Sequence, residues 1–593
     1  MFTDLNPEQI AAVTEEGHVL LTACPGSGKT RVLIKKLAYE AGLLGPSTRK
    51  ICIAVTFTVR AADEIYKRLG HLGIDHQKIW SGTLHSFCLE WIIRPYACYI
   101  PELAKGFSIA DETFAREVID GLRDEFGVGP YEDVITRFTR DGKSTSFDDR
   151  HRKLLAVYRD RLLQDKLIDF DQLLYYSYRV MQEYESIPRT LAGLFPVICV
   201  DEFQDTQDLL YAIICSIVKA GRGSTSLLMV GDTDQAIYAS LGGIVKSVDE
   251  IQEELEGMNV TPLSLPGNYR STQRIIDFYS NFQTQRIVIE ARGELAKEVG
   301  LISFNSELAH HDIVPEITRL ISFHLDRGGK ESEICVLVPQ WWLISSVSRN
   351  LRASLPDVNF DASGMSPMAR HKENVWYKLS KLFLTTASPR LYHARHRWAG
   401  EVLDRLQIAT GSTVVGNLSS EKSFLRMVNS IDSDKADGID FLHECFDNFT
   451  HRAGIDLKLF PQLATDKKIY LDHLEGSLKG KDAAFPTDTA SFKRFFRERD
   501  GVVINTCVGV KGEEFDTVIA FGLLHGFVPH WQEIFDKGFD EQTAAKKLLY
   551  VLASRARMNL HLIAETGRKT KKGFHQETSW ALDGLSFTYD EVM

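Results

Sequence analysis

The residues with the clearest chemical content lie near the start of the chain, in "ACPGSGKT" at 23–30. An apolar stretch, "HVLLTA" at 18–23, leads into this Gly-rich turn, and a helix-like segment follows it. Backbone amides of such a turn and of the helix start can surround phosphate oxygens. Gly26, Ser27 and Gly28 would form the cradle, Lys29 would reach the β- and γ-phosphates, and Thr30 would ligate magnesium. Ala23 occupies the place where the usual pattern has its first Gly, and it is small enough to permit the turn. A fortuitous Gly-rich turn would not be expected to sit between a strand and a helix.

Two further sites complete the chemistry. In "ICVDEFQD", Asp201 ends an apolar run, where a carboxylate can hold the magnesium shared with Thr30, and Glu202 beside it can orient and deprotonate an attacking water. Alone, an acidic pair after a strand is more often a solvated loop or a helix cap. Beside a phosphate loop it reads as a hydrolytic site. In "VGDTDQAIY", Gln235 follows another apolar run and can contact both the γ-phosphate and the water, although a polar loop residue is an equally plain reading of it.

The elements that must position these groups form a pattern. Apolar runs at 18–23, 51–58, 195–202 and 226–235, then at 334–339, 502–507, 517–522 and 560–565, are each followed by a polar turn and a helix-like stretch. Runs apolar at every position predict strands buried on both faces, hence parallel sheets covered by helices. Two α/β parallel-sheet domains follow, each interrupted by a mainly helical insertion. The expected bounds are 1–88 and 185–262 for the first domain around an insertion at 89–184. For the second they are 263–360 and 495–593 around a compact insertion at 361–494.

Composition excludes several classes. The 593 residues allow roughly four domain-sized units, and 44% apolar with 25% charged residues is ordinary for a globular protein. The longest apolar run, "LLYAIICSIV" at 209–218, is too short to span a bilayer, which needs about 20 residues. The start "MFTDLNPEQI" is not a signal peptide. Nine cysteines without a Cys-x-x-Cys pair suggest a reducing, cytoplasmic setting and argue against zinc or iron–sulfur sites. The net charge of −11 lowers the prior for nucleic acid, though a groove needs only a local basic stripe.

The ordered series "NPEQ", "ACPGSGKT", "TFTVRAADEI", "GTLHSF", "DFDQLL", "DEFQD", "GDTDQAIY", "NYRS", "KGEEF" and "YVLASRAR" resembles the motif set of UvrD/Rep/PcrA-type superfamily 1 DNA helicases. It runs from residue 6 to 557, nearly the whole chain. The resemblance implies two RecA-like motor domains that use ATP and Mg2+. It implies that Gln9 reads the adenine edge, Tyr269 stacks on the adenine, Glu514 binds the ribose, and Arg270 and Arg555 act as arginine fingers from the second domain. Planar, permanently charged guanidinium groups suit a transferring phosphoryl group. It also implies a single-strand track lined by Phe57, Arg60, His85 and Tyr238; Phe87 matches a track position too, but core packing is the plainer reading of it and an even alternative for Phe57. The basic segment "SFKRFFRERD" at 491–500 is either a phosphate contact or a solvated helix face.

Departures from the family pattern cluster on the track. Ser240 and Leu241 replace an aromatic residue and an arginine; Val508 and Gly509 replace His and Ser; and Ala544, Ala545, Lys546 and Lys547 stand where acidic residues are common. The short tail after the last motif leaves no room for a C-terminal nuclease domain of the AddA/RecB kind. Compact proteins of this type resemble those acting beside a separately encoded nuclease, as in Gabija-type phage defence.

Three functions follow as expectations. The first is a 3′–5′ translocase and helicase on single-stranded or tailed double-stranded DNA, in repair, recombination or defence. The second is a DNA- or nucleotide-sensing ATPase that switches a partner nuclease with little unwinding. The third, an RNA helicase, is disfavoured because the motifs resemble the DNA branch.

Overall fold

The structure is a computed structural model that describes the chain except residues 1, 46, 75–77, 111, 131, 239–241, 362–373, 389–390, 412–419, 480–486, 495, 497–500, 532–533, 535–539, 571 and 593. Its frame is two six-stranded, wholly parallel sheets. The first contains β1 (His18–Ala23), β2 (Cys52–Thr56), β3 (Ile79–Thr83), β4 (Val197–Asp201), β5 (Ser226–Gly231) and β6 (Val260–Leu265), in the spatial order β3-β2-β4-β5-β1-β6. The second contains β7 (Leu301–Asn305), β8 (Ile334–Val338), β9 (Phe360–Asp361), β10 (Val502–Thr506), β11 (Phe515–Ala520) and β12 (Ala556–Ile563), in the order β7-β12-β11-β8-β10-β9.

Alternation along each strand explains why both sheets are covered on both faces. Leu20 in β1 and Ile198 and Val200 in β4 point into one core, while Val19, Leu21, Val197 and Cys199 point into another on the opposite face. In β8, Cys335 and Leu337 pack to one side and Ile334, Val336 and Val338 to the other. Apolar residues at successive positions therefore have two cores to fill.

All eight expected strands form. The apolar runs did not reveal β3, β6, β7 and β9. β3 and β6 carry polar or small residues within "IWSGT" and "VTPLSL", and both β3 and β7 lie at sheet edges, where one side of the strand need not match a neighbour. β6 runs to Leu265, past residue 262 where the first domain was expected to end, because its pairing with β1 continues to Ala23↔Leu265.

Between β3 and β4 lie helices Glu112–Phe126, Asp149–Gln164 and Phe170–Glu183, the first two around a small core of their own with Leu122, Leu154 and Tyr158. Between β9 and β10, helices from Val375–Leu384 to Thr489–Arg494 enclose a separate core with Trp376, Phe446 and Phe449. This second helical unit rests on the start of the first insertion through Arg94–Asp404 at 3.0 Å and on helix Val59–His71 of the first sheet's domain through an Arg397–Asp63 pair. No helix among the described residues is long and apolar enough to cross a membrane.

The second sheet buries two facing imidazoles. His324 Nε2 lies 2.7 Å from His561 Nε2, and His561 Nδ1 lies 2.7 Å from Ser303 Oγ. Burial pushes His561 down to about 3, aided by His324 and Arg319, and pushes His324 down to about 4, aided by Arg327. The folded state thus prefers both rings neutral, whereas the unfolded chain protonates them near pH 6.5. Their contribution is complete above about pH 6.5 and is lost as pH falls toward the folded values. Urea midpoints should fall between pH 7 and pH 4, and less steeply in His561→Gln; equal slopes in the two proteins would place the acid sensitivity elsewhere.

Candidate nucleotide site and interdomain cleft

Three neighbouring strands of the first sheet deliver the chemistry at their C-terminal ends, the place where open α/β sheets bind ligands. β1 ends in the Gly-rich loop, β4 in Asp201 and Glu202, and β5 in the turn that carries Asp232 and Gln235. The loop can turn because Gly26 and Gly28 adopt φ of +69° and +86°. Gly28 is the N-cap of helix Lys29–Leu43, so the helix begins directly at the end of the loop.

The loop fits a phosphate chain. Ser27 Oγ is buried with no hydrogen-bond partner among the described residues, and the Lys29 ammonium is 3.4 Å from Glu202 Oε2. The hydroxyl of Thr30 and the carboxylate of Asp201 are hard oxygen donors suited to Mg2+. Burial, and then the neighbouring Glu202, push the Asp201 carboxyl up, while Lys29 opposes them. Burial also acts upward on Glu202, but Lys29, Lys511, the Gln204 hydrogen bond and Arg555 outweigh it and hold Glu202 ionised.

Glu202 is positioned by a strained backbone. Its φ of +53° is uncommon for a non-glycine residue, and such strain typically costs about 1–3 kcal/mol. Gln204 Nε2 donates to Glu202 Oε2 at 2.6 Å, and its Oε1 accepts from the Asp232 amide at 3.0 Å. Gln204 therefore ties the acid after β4 to the turn after β5. Gln235 Nε2 donates in turn to Asp232 Oδ2 at 2.8 Å.

The second sheet's side closes directly on this surface. Asn268 Nδ2 donates to the Pro25 carbonyl at 2.7 Å, and the Tyr269 amide to the Gly26 carbonyl at 2.9 Å. Asn6 Nδ2 donates to the Tyr269 hydroxyl at 2.7 Å, and Arg292 pairs with Glu8 at 2.9 Å. Arg555, almost wholly buried, donates through Nη2 to Gln235 Oε1 at 2.8 Å. Burial, with Arg270 nearby, lowers its guanidinium to about 10, so it remains charged. Arg270 sits against the loop but donates to Glu514 Oε2 at 2.7 Å and to the Ser554 carbonyl at 2.8 Å.

Lys511, in "KGEEF", is the cleft residue that the motif comparison left without a role. Its ammonium is 2.5 Å from Asp205 Oδ2 and 2.8 Å from the Gln235 carbonyl, with both side chains of the ion pair buried. Burial pushes Asp205 up to about 6 against the pull of Lys511. The signals for it were a charged residue inside a motif and an acid two residues before Gln207 in "DEFQD" and its continuation; neither spacing reveals that the two meet.

Other expected residues fall differently. Gln9 is almost fully buried: its Nε2 donates to the Ser27 carbonyl at 2.9 Å and its Oε1 accepts from the Asn6 amide at 3.1 Å, the latter part of a capping box at helix Pro7–Thr14. Both ends of the amide are thus engaged with protein, while the Tyr269 ring remains 40% exposed. Phe57 is exposed and lies 4.6 Å, centroid to centroid, from the buried Tyr238 ring, over which Lys511 Nζ sits at 4.8 Å. Half-buried His85 lies against Phe170, Phe87 is core, and Arg60 pairs with Glu513 across the cleft. Gly509 is packed so that a Cβ would meet Asn505 Oδ1 at 2.2 Å, and Val508 is exposed. Ser240, Leu241 and most of 495–500 lie outside the described residues.

Residues 5–256 match the UvrD/Rep helicase N-terminal domain. The chain is 26% identical to the ATP-dependent DNA helicase UvrD1 of Mycobacterium leprae, over 94% of this chain and 82% of that one. It is 25% identical to the ATP-dependent DNA helicase PcrA of Staphylococcus epidermidis, over 95% and 84%. A 299-residue stretch, 46% of this chain and 38% of the relative, is 31% identical to UvrD1 of Mycobacterium tuberculosis.

The closest approach in the cleft gives a test. A Cβ on Gly26 would lie 2.5 Å from the Arg270 Cβ and 3.2 Å from Asn268 Nδ2, and the positive φ adds about 1–2 kcal/mol of strain. Gly26→Ala should lower the melting temperature modestly, as the added strain requires, and lose at least about tenfold in ATP turnover, 1.4 kcal/mol or more of barrier. Turnover at the parental rate would show that this contact does not set the loop.

Proposed function

We propose, for a chain of the UvrD/PcrA type of superfamily 1 helicases, that ATP bound between its two motor domains drives 3′–5′ movement along single-stranded DNA. The observation that carries this is the chain of contacts from Glu202 through Gln204, Asp232 and Gln235 to Arg555 and Lys511, which joins the hydrolytic acid to the opposite domain.

In this reading Lys29 and the loop amides bind the phosphates, and Glu202 takes the proton of the attacking water. Gln235 orients that water. Thr30 and Asp201 hold Mg2+, which supplies charge neutralisation at the phosphates when bound. Gln9 and Tyr269 bound the adenine end, and Glu514 the ribose. Arg555 lies in place against Gln235. Arg270 reaches the phosphates by exchanging its Glu514 and Ser554 partners for the anionic ligand, which its charge favours. Loss of the γ-phosphate removes the anion that both guanidinium groups stabilise, so the cleft opens and the strand shifts.

Phe57, Arg60, His85 and Tyr238 form the first-domain side of the DNA track, with Phe57 the ring most open to a base. Exposed Val508 and packed Gly509 support a second reading, in which the grip on DNA is weak and the ATPase switches a separately encoded nuclease, in repair or in defence. A translocase hydrolyses faster on longer strands, whereas a switch saturates at one site size.

Steady-state ATPase rate measured against single-strand length tests the two. A rate that rises with length, and that falls on the order of a thousandfold in Arg555→Ala, is expected; a flat response would favour the switch. Lys29→Ala and Glu202→Gln should each lose at least about a hundredfold in turnover, and parental rates in either would refute the assignment of the nucleotide site.

A further inference from the structure

The segment 585–592, which has no regular secondary structure, runs against the second domain, and its contacts converge on one short helix, Gln273–Ser280. Phe587 meets Phe278 edge-on, with ring centroids 5.0 Å apart, and Tyr589 packs on Phe304 at 5.3 Å. The Asp590 carboxylate pairs with Arg274 at 2.9 Å, and Arg274 also donates to the Thr588 carbonyl at 2.9 Å. Asp590 further engages both backbone groups of Ile302. Its amide donates to the Ile302 carbonyl at 2.7 Å, and its carboxylate accepts from the Ile302 amide at 2.8 Å. Ile302 lies in β7, at the edge of the sheet, which the segment thereby covers. Edge cover alone would need only the Asp590–Ile302 pair; Phe587 and the Arg274 contacts are directed at the helix instead. A helix of eight residues has little stability of its own and keeps its place through such packing.

The same helix reaches the nucleotide site. Tyr279, next to Phe278 and fully buried, accepts through its hydroxyl from Asn268 Nδ2 at 3.0 Å. Asn268 Nδ2 also donates to the Pro25 carbonyl of the Gly-rich loop at 2.7 Å, and its Oδ1 accepts from the Arg270 and Ser271 amides at 2.7 and 2.8 Å. The buried Asn268 amide thus uses both of its donors and both acceptor positions. A displaced Tyr279 hydroxyl would turn that amide, and with it the backbone that carries Arg270.

We propose that the segment 585–592 braces the nucleotide site. Phe587, Tyr589 and Asp590 fix helix Gln273–Ser280, and through Tyr279 and Asn268 they position Arg270 against the Gly-rich loop. The inference rests on the ATP reading of that loop and adds positioning residues to it.

Calorimetric titration of the full chain with Mg2+ and a non-hydrolysable ATP analogue tests the brace, because it returns a dissociation constant and a number of sites separately. Partial unfolding lowers only the second. Phe587→Ala should raise Kd about fivefold at an unchanged number of sites, the worth of one hydrogen bond. Tyr279→Phe removes only the hydroxyl that meets Asn268 and should do the same. The double variant should bind no more weakly than either single one, as residues acting in series require. Val592→Ala trims the same segment where it packs on the opposite side of the sheet, and should leave Kd within about twofold of the parent. A parental Kd in Phe587→Ala or in Tyr279→Phe, or additive losses in the double variant, would overturn the brace and leave the nucleotide site standing. Failure of the parent to bind the analogue would overturn the nucleotide reading and the brace with it.

Discussion

The structure depends most on a short backbone segment, Pro25–Gly26, that must serve two partners at once. Its carbonyls accept hydrogen bonds from Asn268 and Tyr269 of the second domain's approach, while the Gly-rich turn continues from it to Lys29. Only a residue without a side chain fits where Arg270 passes, and only a glycine takes the left-handed turn without strain. Domain closure and phosphate binding are thus two aspects of one loop conformation. Anything that shifts the loop shifts the distance between the motor domains.

Around that loop the protein concentrates charge that it has largely removed from water. Lys29, Asp201, Glu202, Asp205, Lys511 and Arg555 are tolerable together because each is paired or hydrogen-bonded: burial raises the acids, and the cations opposite restrain them. Lys29 of the first domain restrains Asp201 and Glu202, while Lys511 and Arg555 of the second act on Glu202 and Lys511 on Asp205. Gln204, Asp232 and Gln235 transmit the position of one charge to the next with hydrogen bonds of 2.6–3.0 Å.

The track side contrasts with the nucleotide side. There, Phe57 and Trp341 are open, Tyr238 is buried beneath Phe57 and Lys511, and Val508 presents an apolar surface. The second helical unit, with its own core, touches the start of the first insertion and helix Val59–His71 through exposed or half-exposed ion pairs, of a kind typically worth under about 1 kcal/mol each.

The sequence by itself determined the elements whose chemistry is local. Apolar runs such as "VICVD" and "ICVLV" could only be doubly buried strands, and "PGSGKT" carries its turn, helix start and lysine within six residues, so the fold class and the turn that starts the first sheet's helix were legible. Tertiary structure alone decided what depends on two distant segments meeting. β6 and β7 draw their place from neighbours rather than from their own residues. Lys511 finds Asp205 across 306 positions, Arg555 finds Gln235 across 320, and Gln9 turns its amide to the Ser27 carbonyl. Such pairings arise from long-range packing and desolvation, which leave no periodicity along the chain to read.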